Sequence, residues 1–304
     1  MPKKINKKII LLFGPTASGK SKIAEDIAKT YNAEIINADS MQIYKEVKIL
    51  SARPEKKNIK HHLYGFVSIK KTFSTGAWYK LATKKIKQIN KKGKVAIVVG
   101  GTGLYFKALT DGFTQIPEIP ERYKKLKIEK KFVLKNPDIF KGISLNDTQR
   151  VQRAFSVYKF TKKPLWLWQN ENKKEFKKSQ FTKIFLCPPK IEIEKRIRKR
   201  FSDMLKGGAI KETENFKKKR VNSLKSSNFI IGINEISKFL KNKISLEEVK
   251  EKVAIRTRQY AKRQMTWQRG QMKDWKGFND TNYLDLRKKI LTYLSKTWPK
   301  FFLR

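Results

Sequence analysis

Residues 14–21 read Gly-Pro-Thr-Ala-Ser-Gly-Lys-Ser, and the fold follows from this stretch. It fits G-x-x-x-x-G-K-[S/T], in which Gly14 and Gly19 let the backbone turn several N–H groups toward one phosphate. Pro15, Thr16, Ala17 and Ser18 form the body of the loop. Lys20 adds a mobile positive charge, and Ser21 offers a hydroxyl to a phosphate-bound Mg²⁺. The flanks agree. Ile9–Phe13 is a short apolar run of strand type, and Ile23, Ala24, Ile27, Ala28 and Tyr31 recur behind the loop at helical spacing. Strand, glycine loop and helix N-terminus together make an anion site. The motif alone names neither the di- or triphosphate held nor the reaction.

Outward from the loop, Glu34–Asn37, Val95–Val99 and Ile184–Cys187 are three more apolar runs. Helical patterns separate the first three of the four, one of them through Ala77, Trp78, Leu81, Ala82, Ile86 and Ile89. The alternation predicts an α/β fold, a P-loop NTPase-like parallel sheet flanked by helices. Such sheets take ligands at the carboxyl ends of their strands. Gly14, Asp39 and Gly100 each fall at or just beyond such an end. The stretch from Gln115 to Phe181 differs. It opens with Pro117 and Pro120, is dense in Lys and lacks a convincing strand. It reads as a mainly helical insertion over 115–181, between core parts at 1–114 and 182–304. Ile193, Ile197, Phe201, Met204 and Leu205 mark the next helix face. Ser245 to Glu248 fits a capping box. The long helix it opens runs through Val249, Val253, Thr257, Tyr260 and Ala261 toward Trp267. The Lys-rich tail after Trp275 shows no identifiable chemistry.

The 304 residues carry a formal net charge of +46, which favours a polyanionic partner, nucleic acid first. Of the 72 basic residues 58 are Lys and 14 Arg, a skew that an A/T-rich coding sequence would also produce. In a chain where Lys is the default cation, a retained Arg suggests a need for a planar, forked donor. Arg53, Arg150, Arg153, Arg256, Arg258, Arg263 and Arg269 are seven of the 14. The single cysteine, Cys187, lies in an apolar run and reads as a core thiol; no C-x-x-C zinc pair exists. No segment approaches transmembrane length. The charged N-terminus runs straight into the first strand without room for a signal peptide. A cytoplasmic protein that does not enter membranes is expected.

Four segments carry candidate chemistry. Asp39-Ser40-Met41-Gln42-Ile43-Tyr44 follows the second strand. Asp39 there is either a base or metal-bound carboxylate facing the loop, or a helix cap. In Gly100-Gly101-Thr102-Gly103-Leu104-Tyr105 the glycines permit close approach of backbone to ligand, or simply a tight turn. Arg150 and Arg153, three apart in Asp147–Arg153, form a phosphate clamp or a solvated face. Thr257–Trp267 mixes cations, amides and aromatics, as phosphate contact and base stacking require, though an amphipathic helix has the same look.

Together these segments resemble the tRNA dimethylallyltransferase (tRNA isopentenyltransferase) family. The likeness extends from about Ile9 to Gly270 and includes Ala38–Tyr44, Ser51-Ala52-Arg53-Pro54, His61-His62-Leu63, Gly100–Tyr105, Asn146–Arg150 and Thr257–Trp267 in order. It implies transfer of a dimethylallyl group from dimethylallyl diphosphate to the exocyclic amine of the adenosine just 3′ of the anticodon in tRNA. It further implies that residues 14–21 hold the diphosphate, with Mg²⁺ near Ser21, and that Lys20, Asp39 and Thr102 are catalytic, Asp39 as the base. The tRNA contacts it implies are Asp39, Ser40, Met41, Gln42, Thr102, Gln149, Arg150, Val151, Gln152, Arg153, Arg258, Lys262, Arg263, Gln264 and Trp267. A monomer is expected. The chain departs from the family pattern at Phe229 and Asn234, where cations are usual; Lys225 is the nearest replacement in sequence. The alternatives are a P-loop kinase with Arg196, Arg198 and Arg200 as a phosphate-clamping lid, and a non-enzymatic RNA-binding protein.

Overall fold

The computed structural model describes residues 9–55, 58–114, 116–223 and 225–298. The N-terminal residues 1–8 and Gln115, at the expected edge of the insertion, lie outside them. The chain forms two compact units, residues 1–107 with 177–304, and residues 108–176. The sequence placed the corresponding edges at 115 and 181. Phe181 instead opens a buried strand of the first unit, and the second unit takes in the end of a helix, Gly103–Asp111.

The first unit is built on β1 (Ile9–Phe13), α1 (Lys20–Thr30), β2 (Ala33–Asn37), β3 (His61–His62), α2 (Thr75–Lys91), β4 (Val95–Gly100) and α3 (Gly103–Asp111). The second unit carries α4 (Glu121–Lys124), α5 (Lys130–Lys135), α6 (Thr148–Thr161) and α7 (Leu165–Asn170). The first unit then resumes with β5 (Phe181–Leu186), α8 (Lys190–Lys206), α9 (Ala209–Lys218), α10 (Ile233–Phe239), α11 (Leu246–Gln271), β6 (Lys276–Phe278) and α12 (Tyr283–Thr297).

Among the described residues all six strands are parallel, in the order β3-β2-β4-β1-β5-β6. The four apolar runs of the sequence are the four central strands. A strand buried on both faces reads as a largely apolar run, which made them legible. Alternate residues of β1 divide between the layers. Ile10 and Leu12 pack with Ile23, Ile27, Ile290 and Leu294 of α1 and α12, while Phe13 stacks edge-on against Phe106 of α3 at 5.6 Å. The two edge strands have two and three residues, too few to show a period. β3, paired with β2 through the backbone, is also tied by a side chain: buried Glu34 of β2 accepts a hydrogen bond from His62 (2.7 Å) and a second from Lys94 (3.2 Å). β5 starts three residues before the apolar run because Phe181, Thr182 and Lys183 pair with Ile9, Ile10 and Leu11 of β1; buried Thr182 is satisfied there, its Oγ1 accepting from Trp298 Nε1 at 3.1 Å. Cys187 falls just past the strand. Its N–H donates to Phe278 O, its thiol is half-buried instead of a core group, and burial pushes its pKa up.

A second cluster of the same unit joins the 43–69 region to α8, α9, α10 and the first half of α11 through Ile43, Val47, Phe201, Phe216, Ile236 and Val253. The second unit has its own small core of Ile119, Phe140, Val151, Ala154, Phe155 and Val157.

α11 begins where the capping box placed it. Ser245 Oγ accepts from Glu248 N at 3.1 Å, and Glu248 accepts from Ser245 N at 2.9 Å. Ser245→Ala should lower unfolding stability by about 1 kcal/mol and Ser245→Asp should restore most of it; urea midpoints at constant m-value measure both.

Candidate active site

The N-terminus of α1 sets the site. Gly19 adopts φ +86°, in the left-handed region open to glycine, and turns the loop into the helix. Gly14 is required for packing, because a Cβ there would press on Ser18, whose side chain is wholly buried beneath the loop. Residues 16–21 line one wall of a cavity of about 880 Å³. Asp39, Met41 and Gln42 line a second wall, and Arg196 and Arg200 of α8 with Arg256, Tyr260 and Arg263 of α11 a third. Leu50, Met204, Phe229, Ile230 and Ile231 supply an apolar side.

The electrostatics are concentrated on three residues. Lys20 Nζ donates to Pro15 O at 3.1 Å. Loss of water lowers its pKa to about 8, Asp39 opposing that shift and Arg200 adding to it. Arg200 donates to Thr16 Oγ1 at 2.6 Å, and desolvation lowers its pKa as well, against the pull of Asp39. Asp39 is oriented by its neighbours. Its Oδ1 accepts from Met41 N (2.9 Å), and its own N–H and C=O are held by Asn37 (2.8 and 2.9 Å). The phenols of Tyr64, Tyr105 and Tyr260 are pushed up by burial first and by the Asp39 charge second. Two cations thus share one carboxylate out of water. Such a pair of cations favours an anionic ligand.

The 100–105 loop meets this wall from behind. Thr102 Oγ1 accepts from Ser40 N at 2.9 Å, and Thr102 N donates to Ala38 O at 3.1 Å, so Thr102 braces the Asp39 loop. Its glycines serve contacts within the protein, not ligand approach. A Cβ at Gly100 would strike the Ala38 carbonyl, at Gly101 the Gln264 amide, and at Gly103 the Trp267 indole. Gln42 Nε2 is committed too, donating to Ser51 O (3.0 Å) and Ala52 O (2.9 Å).

The expected RNA-facing residues separate by exposure. On α11, Arg258, Lys262 and Arg263 are exposed, Arg258 pairing with Glu194 at 3.0 Å and Arg263 lying over the Tyr260 ring. Gln264 is 5% exposed with both ends of its amide engaged inside the protein, and Trp267 packs its indole on Gly103. Neither presents its polar end to solvent. In the second unit Gln149, Arg150 and Arg153 are exposed on α6, with Arg150 against Asp147 at 3.2 Å. Val151 belongs to the core, and Gln152 donates to Lys124 O and Leu126 O. The spacing rule found the helix face but could not separate its exposed from its buried edge.

Several retained arginines answer to the protein itself. Arg53 donates to Tyr44 O and Lys45 O, Arg256 pairs with buried Glu235, and Arg269 reaches Thr266. A forked donor suits carbonyls and carboxylates of the fold as well as phosphates. Arg200, read from sequence only as part of a kinase lid, stands at the phosphate loop. Its i,i+4 relation to Arg196 was the available signal. Arg198 points elsewhere and pairs with Glu251. Asn234 is exposed and lies outside this cavity, bordering a smaller groove with Arg256; Lys225 donates to Thr72 Oγ1 and is not a lining residue. Among the described residues no cluster of three or more His, Cys, Asp or Glu could hold a metal, and no helix is long and apolar enough to cross a membrane.

A parallel sheet with a phosphate loop, opening on paired cations, one oriented carboxylate and an apolar wall, is the equipment of a P-loop-fold transferase. The model of the IPP transferase family matches residues 42–271. The tRNA dimethylallyltransferase of Pelagibacter ubique is 47% identical over 282 residues, covering 88% of this chain and 90% of its own length; that of Rickettsia massiliae is 40% identical. Among solved structures, the tRNA isopentenylpyrophosphate transferase of Bacillus halodurans superposes with a TM-score of 0.72 at 26% identity, covering 97% of this chain and 98% of its own. A eukaryotic dimethylallyltransferase acting on tRNA gives 0.78 at 27% identity, over 95% and 77%. The chain belongs to the IPP transferase family and is a prenyltransferase. A kinase is not favoured, and the outward pairing of Arg198 removes one arm of the supposed lid.

Lys20 is protonated below about pH 8 and loses its charge above it. Affinity for inorganic diphosphate should therefore fall as pH rises through that value. Calorimetric titration against Lys20→Arg, which stays charged, cancels the titration of the ligand; the fall should be missing from the variant.

Proposed function

We propose that this enzyme moves a dimethylallyl group from dimethylallyl diphosphate to the exocyclic amine of the adenosine just 3′ of the anticodon in tRNA. The observation that carries the mechanism is the grouping of Lys20, Arg200 and Asp39 on one cavity. Backbone N–H groups at the N-terminus of α1, with Lys20 and Arg200, hold the diphosphate and neutralise the charge that grows as it leaves. The amine nitrogen bonds to the allylic carbon, the bond from that carbon to the diphosphate oxygen breaks, and the amine proton passes to Asp39. The hydrogen bond from Met41 N–H holds the Asp39 carboxylate in place, and Thr102 supports it through Ser40. The apolar side of Leu50, Met204, Ile230 and Ile231 accepts the prenyl tail.

Ser21 lines the same cavity as the rest of the phosphate loop. A hydroxyl together with substrate phosphates is a donor set that suits Mg²⁺. Bound there, Mg²⁺ supplies further neutralisation of the leaving diphosphate.

The adenosine must leave the stacked anticodon loop to reach Asp39. Exposed Arg258, Lys262 and Arg263 on one unit and Gln149, Arg150 and Arg153 on the other serve as backbone contacts. The enzyme acts as a monomer that meets its tRNA in the cytoplasm.

Incubation with bulk tRNA and labelled dimethylallyl diphosphate should label the tRNA, whereas labelled ATP should transfer no phosphate. The reverse result would restore the kinase. Asp39→Asn keeps the Met41 hydrogen bond but removes the base. Turnover should fall roughly 10² to 10⁴-fold, with tRNA binding in a filter assay far less affected. Equal losses in both would make Asp39 a structural cap.

A further inference from the structure

Gln264 joins three segments distant in sequence. From the last third of α11 its Oε1 accepts from Thr16 N at 2.8 Å, and its Nε2 donates to Gly101 O at 2.9 Å. One planar amide thus spans the phosphate loop after β1 and the Thr102-bearing loop after β4. Both loops are also gripped from other sides. Thr16 Oγ1 accepts from Arg200, and Thr102 holds the Asp39 loop through Ser40. The fit has no slack: Gly101 can bear no Cβ without striking the Gln264 amide. An amide buried to this degree and satisfied at both ends is a rigid spacer, because breaking either bond leaves an unpaired polar group out of water.

We infer that Gln264 is a positioning residue that sets the distance between the donor half-site, where the diphosphate leaves, and the acceptor half-site at Asp39 and Thr102. It touches neither substrate. It acts through Thr16 on one side and Gly101 on the other, and its contribution belongs to the geometry of the attack instead of to binding. Displacing reacting groups by about 1 Å costs on the order of 10²-fold in rate even when both partners still bind. The inference rests on the transfer reaction proposed above.

The test is single-turnover transfer with enzyme in excess and both substrates saturating. That rate constant does not depend on how much of the preparation is folded. Gln264→Leu keeps the volume and removes both hydrogen bonds. It should lower the rate about 10²-fold while the dissociation constants for tRNA and for inorganic diphosphate change by less than about threefold. Gln264→Asn keeps the amide but is one methylene short. It can reach one partner only, should fall between wild type and Leu, and serves where the Leu variant does not fold. Gly101→Ala presses on the joint from the opposite side and should show the same loss of rate with binding retained. In a Gln264→Ala background its cost should shrink, a non-additivity expected only if the two act through each other.

An unchanged rate in Gln264→Leu or Gln264→Asn, or a loss of diphosphate or tRNA affinity as large as the loss of rate, would overturn the inference. Strict additivity with Gly101→Ala would do the same. Wild-type enzyme that fails to prenylate tRNA would overturn the reaction itself, and so the two failures are told apart in one experiment.

Discussion

Two cations held out of water beside a single carboxylate are the constraint around which this molecule is arranged. Lys20 loses ammonium character to desolvation and to Arg200, and only Asp39 opposes it. Such a site is electrostatically unfinished without an anion, and its cost falls on the fold. The surroundings show how it is met. Lys20 is tied to Pro15 O, Arg200 to Thr16, and Asp39 to the Met41 N–H and to Asn37. Each charged group is fixed before any ligand arrives. In that condition an active site exchanges water for preorganised dipoles without reorganising during reaction.

Preorganisation extends outward through α11. Its first half belongs to the second apolar cluster through Val249 and Val253, and its middle packs Ala254 and Ala261 against Ile193 and Ile197 of α8. Its last third reaches the strand ends through Gln264 and Trp267. The helix therefore carries exposed cations on one face and braces the catalytic loops with the other. The wall at residues 48–52 is held in a similar way. Glu212 of α9 accepts three backbone N–H groups, from Lys48, Ile49 and Leu50, at 2.6–2.8 Å, while Gln42 holds the next two carbonyls. Ala52 sits at φ +50° inside this grip, a strain that loops tolerate where the surroundings over-determine them.

Glycines and arginines changed meaning once the chain was folded. Read along the chain, Gly100–Gly103 suggested either room for close approach of a ligand or a tight turn. Folded, the room is filled by Ala38, Gln264 and Trp267. Arginines kept in a Lys-dominated chain suggested a need for a forked donor, and Arg53 and Arg256 supply one to backbone carbonyls and to a buried Glu235. In both cases the residue type reported a geometric demand correctly, and the identity of the partner was left open.

The sequence by itself determined what depends on neighbours within a few residues. The strand–loop–helix at 9–30, the four central strands, the capping box at Ser245 and the helix faces of α2, α8 and α11 all rest on local spacing, glycine conformation and apolar periodicity. The family motifs were legible for the same reason. Tertiary structure decided what depends on residues far apart in the chain. Arg200 reaches Thr16 across 184 positions and Gln264 reaches it across 248. Which edge of a helix is exposed, as with Val151 against Arg150, depends on what packs beside it. The edge strands β3 and β6 exist because a neighbouring strand offers its free N–H and C=O groups. No local pattern encodes such partners, because a side chain's hydrogen-bonding capacity is written in its type, while the group that satisfies it is set by the closing of the fold.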